Sequence, residues 1–127
     1  HGRLNLSPEQ HRQLSRAVAD LYLLLARTGT RHRDMKPSNI LAGWNEGGVD
    51  LWLVDLDRTK FEVDWTRRLW IYHLAQCNAG LASGITPLDR MRCLRRIGRA
   101  RWSDQERMSI ARQVLELSLT RDPEWLR

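Results

Sequence analysis

The stretch at residues 31–38 constrains this chain more than any other, because it has neither helical nor alternating periodicity and carries Pro37. It reads as a loop that the flanking elements must hold. Before it, Ser7-Pro8-Glu9-Gln10 reads as a helix start: Ser7 can cap, Pro8 suits the first turn and Gln10 completes a capping box. Leu14, Ala17, Val18, Leu21, Leu24 and Leu25 then recur at spacings of three and four, which predicts a buried stripe, and Gly29 is placed to end the helix. After the loop, residues 39–42 and 49–54 are short apolar runs, and the glycine-rich segment 43–48 between them suits a hairpin connector. Helical spacing returns over 64–79, 86–97 and 103–120, the last two opening on the capping patterns Thr86-Pro87-Leu88-Asp89 and Ser103-Asp104-Gln105-Glu106. The expected class is α+β, mainly α-helical, with one small β-hairpin and one domain over residues 1–127.

At 127 residues, with 42% hydrophobic and 28% charged side chains, the chain is ordinary for a globular protein with one core. The longest apolar run, residues 21–26, falls far short of the roughly 18 to 20 residues that a membrane span needs. No secretory pattern opens the sequence, but residue 1 is His, so the expectation is a fragment or a truncated chain. Cys77 and Cys93 are too few and too far apart for a disulfide framework or a C-x-x-C site, which suits a reducing cytoplasm. His73 and Cys77 share a helix face at i, i+4, yet no second pair completes a tetrahedral metal site, and packing is the expectation for both. The formal charge of +6 favours anionic partners without choosing among them.

His32-Arg33-Asp34-Met35-Lys36-Pro37-Ser38-Asn39 matches the kinase catalytic-loop pattern, H-R-D followed after four residues by Asn. Phosphoryl transfer needs little covalent help and much positioning of charge around a metal-bound phosphate. Asp34 is the candidate base for an acceptor hydroxyl. Lys36 could stabilise charge on the transferring group, and Asn39 offers a neutral oxygen to Mg2+. Such a site also needs a carboxylate at a strand end for the metal that bridges the ATP phosphates, and Asp55 follows the run 49–54. Asp57 is either a second metal ligand or a partner for Arg58 or Lys60.

The loop resembles that of Ser/Thr protein kinases, but Asp55-Leu56-Asp57 stands where they have D-F-G, and no A-P-E follows. Trp52-Leu53-Val54-Asp55-Leu56-Asp57-Arg58 is instead similar to the W-L-I-D-F-D-R strand of bacterial lipopolysaccharide core kinases, and the arginine-rich 89–94 resembles their C-terminal helices. That resemblance implies a protein-kinase-like fold and ATP-dependent phosphorylation of a heptose or Kdo sugar, at the cytoplasmic face of the inner membrane with peripheral contact. It also implies Asp34 as base, Asn39 and Asp55 as metal ligands, and an anionic glycolipid as substrate. Lys36 is more typical of protein kinases. Neither a G-x-G-x-x-G loop nor a strand lysine paired with a helix glutamate is found, so the chain is expected to be the C-terminal catalytic lobe only, inactive or nearly so by itself.

Arg92, Arg95, Arg96 and Arg99 recur at three, four and seven, which predicts a stripe of guanidiniums suited to an anionic glycolipid or membrane surface, or an ordinary solvated face. The six tryptophans are scattered, and most are expected in or against the core. A basic nucleic-acid-binding helical domain would use the charge but leaves Asp34, Asn39 and Asp55 unexplained, so no nucleic-acid partner is expected. A pseudokinase binding module would keep the loop without the turnover.

Overall fold

The structure, a computed structural model, describes residues 5–126. Helix α1 (Pro8–Thr28) leads into the loop, a short 3-10 turn at Pro37–Asn39, and strands β1 (Ile40–Asn45) and β2 (Gly48–Leu53). Helices α2 (Arg67–Gly80), α3 (Pro87–Arg101) and α4 (Asp104–Leu119) follow, with a last 3-10 turn at Glu124–Leu126. This is the expected mainly helical α+β order. All four helices start on side-chain caps: Ser7, Thr86 and Ser103 form reciprocal capping boxes, and the Thr66 hydroxyl accepts from the Leu69 amide. Gly29 closes α1 at φ 68, a left-handed value that glycine adopts without Cβ strain.

Three boundaries differ from the sequence reading. Helix α2 begins at Arg67 rather than at residue 64, because Thr66 is the residue that caps it. Helix α3 runs to Arg101, past residue 97, and stops only at Trp102, next to the Ser103 that caps α4. The strands extend into the glycine-rich connector, leaving Glu46 and Gly47 as the turn, because Asn45 stabilises it through its Oδ1, which accepts from Gly47 N, and its Nδ2, which donates to Asp50. Gly43 is therefore a strand residue. The ring of Trp52 lies over it, so a Cβ at Gly43 would stand 2.7 Å from that ring.

The buried line of α1 is Ser15, Ala19, Tyr22 and Leu25, one residue further round than the predicted stripe, and Leu24 is 45% exposed. The helix packs against both α3 and β2, so its most enclosed line falls between two neighbours rather than along its most apolar face. The core gathers around Tyr22, Trp65 and Trp70. Trp65 and Trp70 meet edge-on at 4.9 Å between centroids, Trp70 meets Trp102 at 5.3 Å, and Trp65 Nε1 donates to Thr30 O. Trp102 and Trp125 are half-buried, whereas Trp44 and Trp52 lie exposed on the hairpin.

His73 is fully buried beside Trp65, and its Nε2 accepts from Arg31 Nε at 3.2 Å. Burial, followed by the nearby Arg31 charge, lowers its pKa from 6.5 to about 4. Cys77 is also buried, so both members of this pair sit in the core. The folded state thus resists a proton that the unfolded chain takes up near pH 6.5. Stability is fully present above that pH and is expected to fall by about 3 kcal/mol as pH drops through 4. Urea denaturation between pH 7 and 4 should show this loss, and His73→Gln should flatten it.

Candidate functional site

The loop at 31–38 is held by hydrogen bonds from three directions. His32 is buried at 2% exposure; its Nε2–H donates to Val54 O at 2.7 Å while its Nδ1 accepts from Asp34 N at 3.0 Å. The two bonds together require the neutral ring with its proton on Nε2. Asn39 Nδ2 donates to Asp34 O at 2.9 Å, and the Asn39 carbonyl accepts from Val54 N at 3.0 Å. From α2, Gln76 spans the turn: its Oε1 accepts from Met35 N at 3.1 Å and its Nε2 donates to Asp34 Oδ1 at 3.2 Å. The buried Met35 side chain anchors the loop in the core beneath.

Close packing at Gly80 fixes the far end of the loop. A Cβ there would stand 2.5 Å from Pro37 Cδ, so only glycine lets the Pro37 ring rest on the end of α2.

With Oδ1 taken by Gln76, Asp34 keeps Oδ2 toward Lys36, whose Nζ lies 3.4 Å away. Asp34 is 39% exposed and lines an open depression of about 300 Å3 with Lys36, Gln76, Gly80, Arg121, Asp122 and Glu124. Asn39 and Asp55 lie outside that depression, at the hairpin. Ile40 pairs with Leu53 and Val54 N donates to Asn39 O, so the backbone sets Asn39 opposite Val54, the residue before Asp55, at the open end of the two strands. Asn39 Oδ1 has no partner among the described residues. Asp55 is exposed at φ 61, a left-handed conformation that is uncommon outside glycine, asparagine and aspartate. An amide oxygen and a carboxylate are donors of the hard type that Mg2+ takes, one or two at a time, with phosphate and water completing its shell. Asp57 and Arg58 form the centre of a turn closed by Thr59 N donating to Leu56 O, and Asp57 pairs with neither Arg58 nor Lys60.

Gln76 and Arg121 were not singled out from the sequence. Gln76 sits at a helical position that any polar residue can fill, and Arg121 follows the last helix as one arginine among many. Only the fold brings them to Asp34. The segment that carries Arg121 is itself tied down: Trp125 Nε1 donates to Asn78 O, and Arg90 Nη1 donates to Asn78 Oδ1 at 2.6 Å while its Nη2 reaches Ala82 O.

The predicted arginine stripe on α3 is only half available. Arg92 pairs with the buried Asp89 at 3.1 Å and Arg96 makes a two-pronged pair with Asp20 of α1 at 2.7 and 3.2 Å, which leaves Arg95 and Arg99 as the exposed members with no ion pair among the described residues. Arg96 thereby fastens α3 to α1.

A helix, an H-R-D loop tied to a hairpin, and further helices packed beneath it define a kinase-like fold. A model of the lipopolysaccharide kinase (Kdo/WaaP) family matches residues 2–76, and the chain belongs to that family. Among solved structures, that of WaaP in complex with acyl carrier protein is similar at a TM-score of 0.69 and 23% identity, over 89% of this chain and 52% of the other, and at that identity the likeness concerns the fold. The chain thus spans about half the length of that relative. No curated protein sequence matches it.

Gly80→Ala should displace Pro37 and cost about 1–3 kcal/mol of stability. Gly47→Ala, whose Cβ meets nothing nearer than 3.3 Å, should cost clearly less in the same urea titration.

Proposed function

We propose that this chain is the larger, C-terminal lobe of an ATP-dependent kinase that phosphorylates a hydroxyl of the lipopolysaccharide inner core. The observation that carries the reading is the bracing of Asp34: its peptide and one carboxylate oxygen are fixed by His32, Asn39 and Gln76, while the other oxygen stays open beside Lys36. A carboxylate so held orients an acceptor hydroxyl and takes its proton as the bond to phosphorus forms. Lys36 offsets charge on the phosphoryl group in flight.

Mg2+, when bound, neutralises the phosphates of ATP and aligns them. Asn39 Oδ1 and the Asp55 carboxylate would hold it, and Asp57 is a further candidate ligand. An N-terminal lobe would cover the nucleotide over the exposed face of the hairpin, where Leu41, Trp52 and Leu56 are each more than half exposed. Residues 1–127 alone should accordingly bind magnesium-nucleotide weakly. The acceptor is an anionic glycolipid, reached from the cytoplasmic side by peripheral contact with the inner membrane. No helix of the described residues is long and apolar enough to cross a membrane. Arg95 and Arg99 suit that anionic surface. They would equally suit an acidic protein partner; the similar solved structure is of WaaP in complex with acyl carrier protein.

In the polypeptide that carries both lobes, Asp34→Asn should lower turnover by about 100-fold or more with nucleotide affinity nearly unchanged, because it removes the proton acceptor and keeps the shape. Asp55→Asn should instead weaken magnesium-dependent nucleotide binding. Steady-state kinetics and calorimetry separate the two, and full phosphotransfer by the Asp34 variant would overturn the assignment in favour of a pseudokinase module.

A further inference from the structure

Tyr72, one turn before Gln76 on α2, carries two guanidiniums against its ring. Arg31 lies 5.8 Å and Arg121 lies 5.4 Å from the ring centroid. The ring quadrupole attracts both cations and holds them together although they repel each other. Arg31 is fixed further by its Nε–H, which donates to the buried His73. That bond exists because His73 is neutral, its pKa being lowered to about 4 by burial first and by Arg31 second. Neither Arg31 nor Arg121 forms an ion pair with a carboxylate among the described residues, so each keeps forked donors for a ligand.

The position of this pair matters as much as its charge. Arg121 lines the depression that holds Asp34, and Tyr72 lines a second cavity of about 590 Å3 with Arg67, Arg68, Ile71, Gln113 and Leu117. Arg121 of the first lining stacks on Tyr72 of the second. Arg68, Tyr72 and Gln76 follow at i, i+4 and i+8, so one face of α2 forms a floor from the guanidinium end to Asp34. Arg121 lines the depression together with Asp34 and Lys36, Arg67 and Arg68 line the neighbouring cavity, and Arg31 stacks on the Tyr72 ring between them, so guanidiniums follow one another along this face from the Asp34 depression outward.

We propose that Arg31 and Arg121, stacked on Tyr72, form the subsite for an acid group of the acceptor, a carboxylate or phosphate carried by a sugar whose hydroxyl lies at Asp34. An acid group held by the two guanidiniums leaves a neutral hydroxyl of the same sugar free to reach Asp34 in the adjoining depression. This inference rests on the phosphotransfer reading of Asp34, but its test does not use turnover.

The two-lobed polypeptide would be titrated by NMR with three probes: Kdo monosaccharide for a carboxylate, mannose 6-phosphate for a phosphate, and mannose as the neutral sugar. At least one anionic sugar should bind about tenfold or more tightly than mannose, and which one does so identifies the acid group. Arg121→Gln and Tyr72→Leu should each weaken that binding by about 10- to 100-fold, the range for a lost charge-assisted hydrogen bond. Arg121→Lys, which keeps the charge but loses the planar fork, should fall between. Arg112→Gln removes an equal charge from an exposed position of α4 and should change the affinity by less than about twofold. The amide spectrum of each variant reports that it is folded. Equal affinity for all three sugars, or binding by folded Arg121→Gln and Arg121→Lys at the unaltered level, would overturn the subsite. Loss of the Asp34 assignment would show separately, as undiminished turnover in Asp34→Asn.

Discussion

The site depends on one buried imidazole. His32 joins the end of β2 to the loop by donating to Val54 O and accepting from Asp34 N, and a ring can do both only when neutral with a single proton on Nε2. Asn39 repeats the connection through other atoms, giving its side chain to Asp34 O and its carbonyl to Val54 N. Out of contact with water these bonds are strong, and breaking one would leave a buried donor or acceptor unpaired. The position of Asp34 is therefore tied to that of Asp55, the residue after Val54. In the proposed reading of the site, which aligns a hydroxyl, a phosphate and a cation, this tie holds the two carboxylates in register.

Helix α2 does the corresponding work from below. One side of it is core, with Trp70, Leu74, Ala75 and Cys77 buried. The other side is shaped to the loop: Gln76 bonds to both Met35 and Asp34, and Gly80 gives way to Pro37. Because the same helix is locked by the aromatic cluster of Trp65 and Trp70, the rigidity of the core passes directly to the loop. The loop after α2 is held in turn by Arg90, whose guanidinium reaches the carbonyls of Asn78 and Ala82, and Trp125 packs at 5.7 Å from it. The wall of the depression formed by residues 121–124 thus depends on an arginine that a count of surface charge would have assigned to solvent.

The positive charge of the chain is divided by the fold into different uses. Arg96 is paired with Asp20 and fastens α3 to α1, while Arg92 pairs with Asp89 within α3. Arg90 is built into a turn. Arg95 and Arg99 remain for a surface partner, while Arg31 and Arg121 are gathered on Tyr72 close to the loop. Pairing within α3 and across to α1 thus interrupts the basic stripe on α3.

What the sequence determined by itself was local. Helix starts follow from side-chain caps within four residues, the end of α1 follows from Gly29, and the loop that carries Asp34, Lys36 and Asn39 is one short string, so each could be read from neighbours along the chain. Asp55 was readable for the same reason, as the acid that ends an apolar strand. The structure alone decided what depends on distance through space. Ala19 and Tyr22 replaced Ala17 and Leu24 on the buried line of α1 because two neighbours enclose that helix. The glycines at 43 and 80 matter because Trp52 and Pro37 arrive on top of them. Gln76, 42 residues from Asp34, and Arg121, brought to Tyr72 by the turn after α4, became part of the site only through packing. Periodicity and spacing record which side of an element is apolar, but the partner that meets it, and the polar atoms that partner brings, are set when the helices close around the aromatic core.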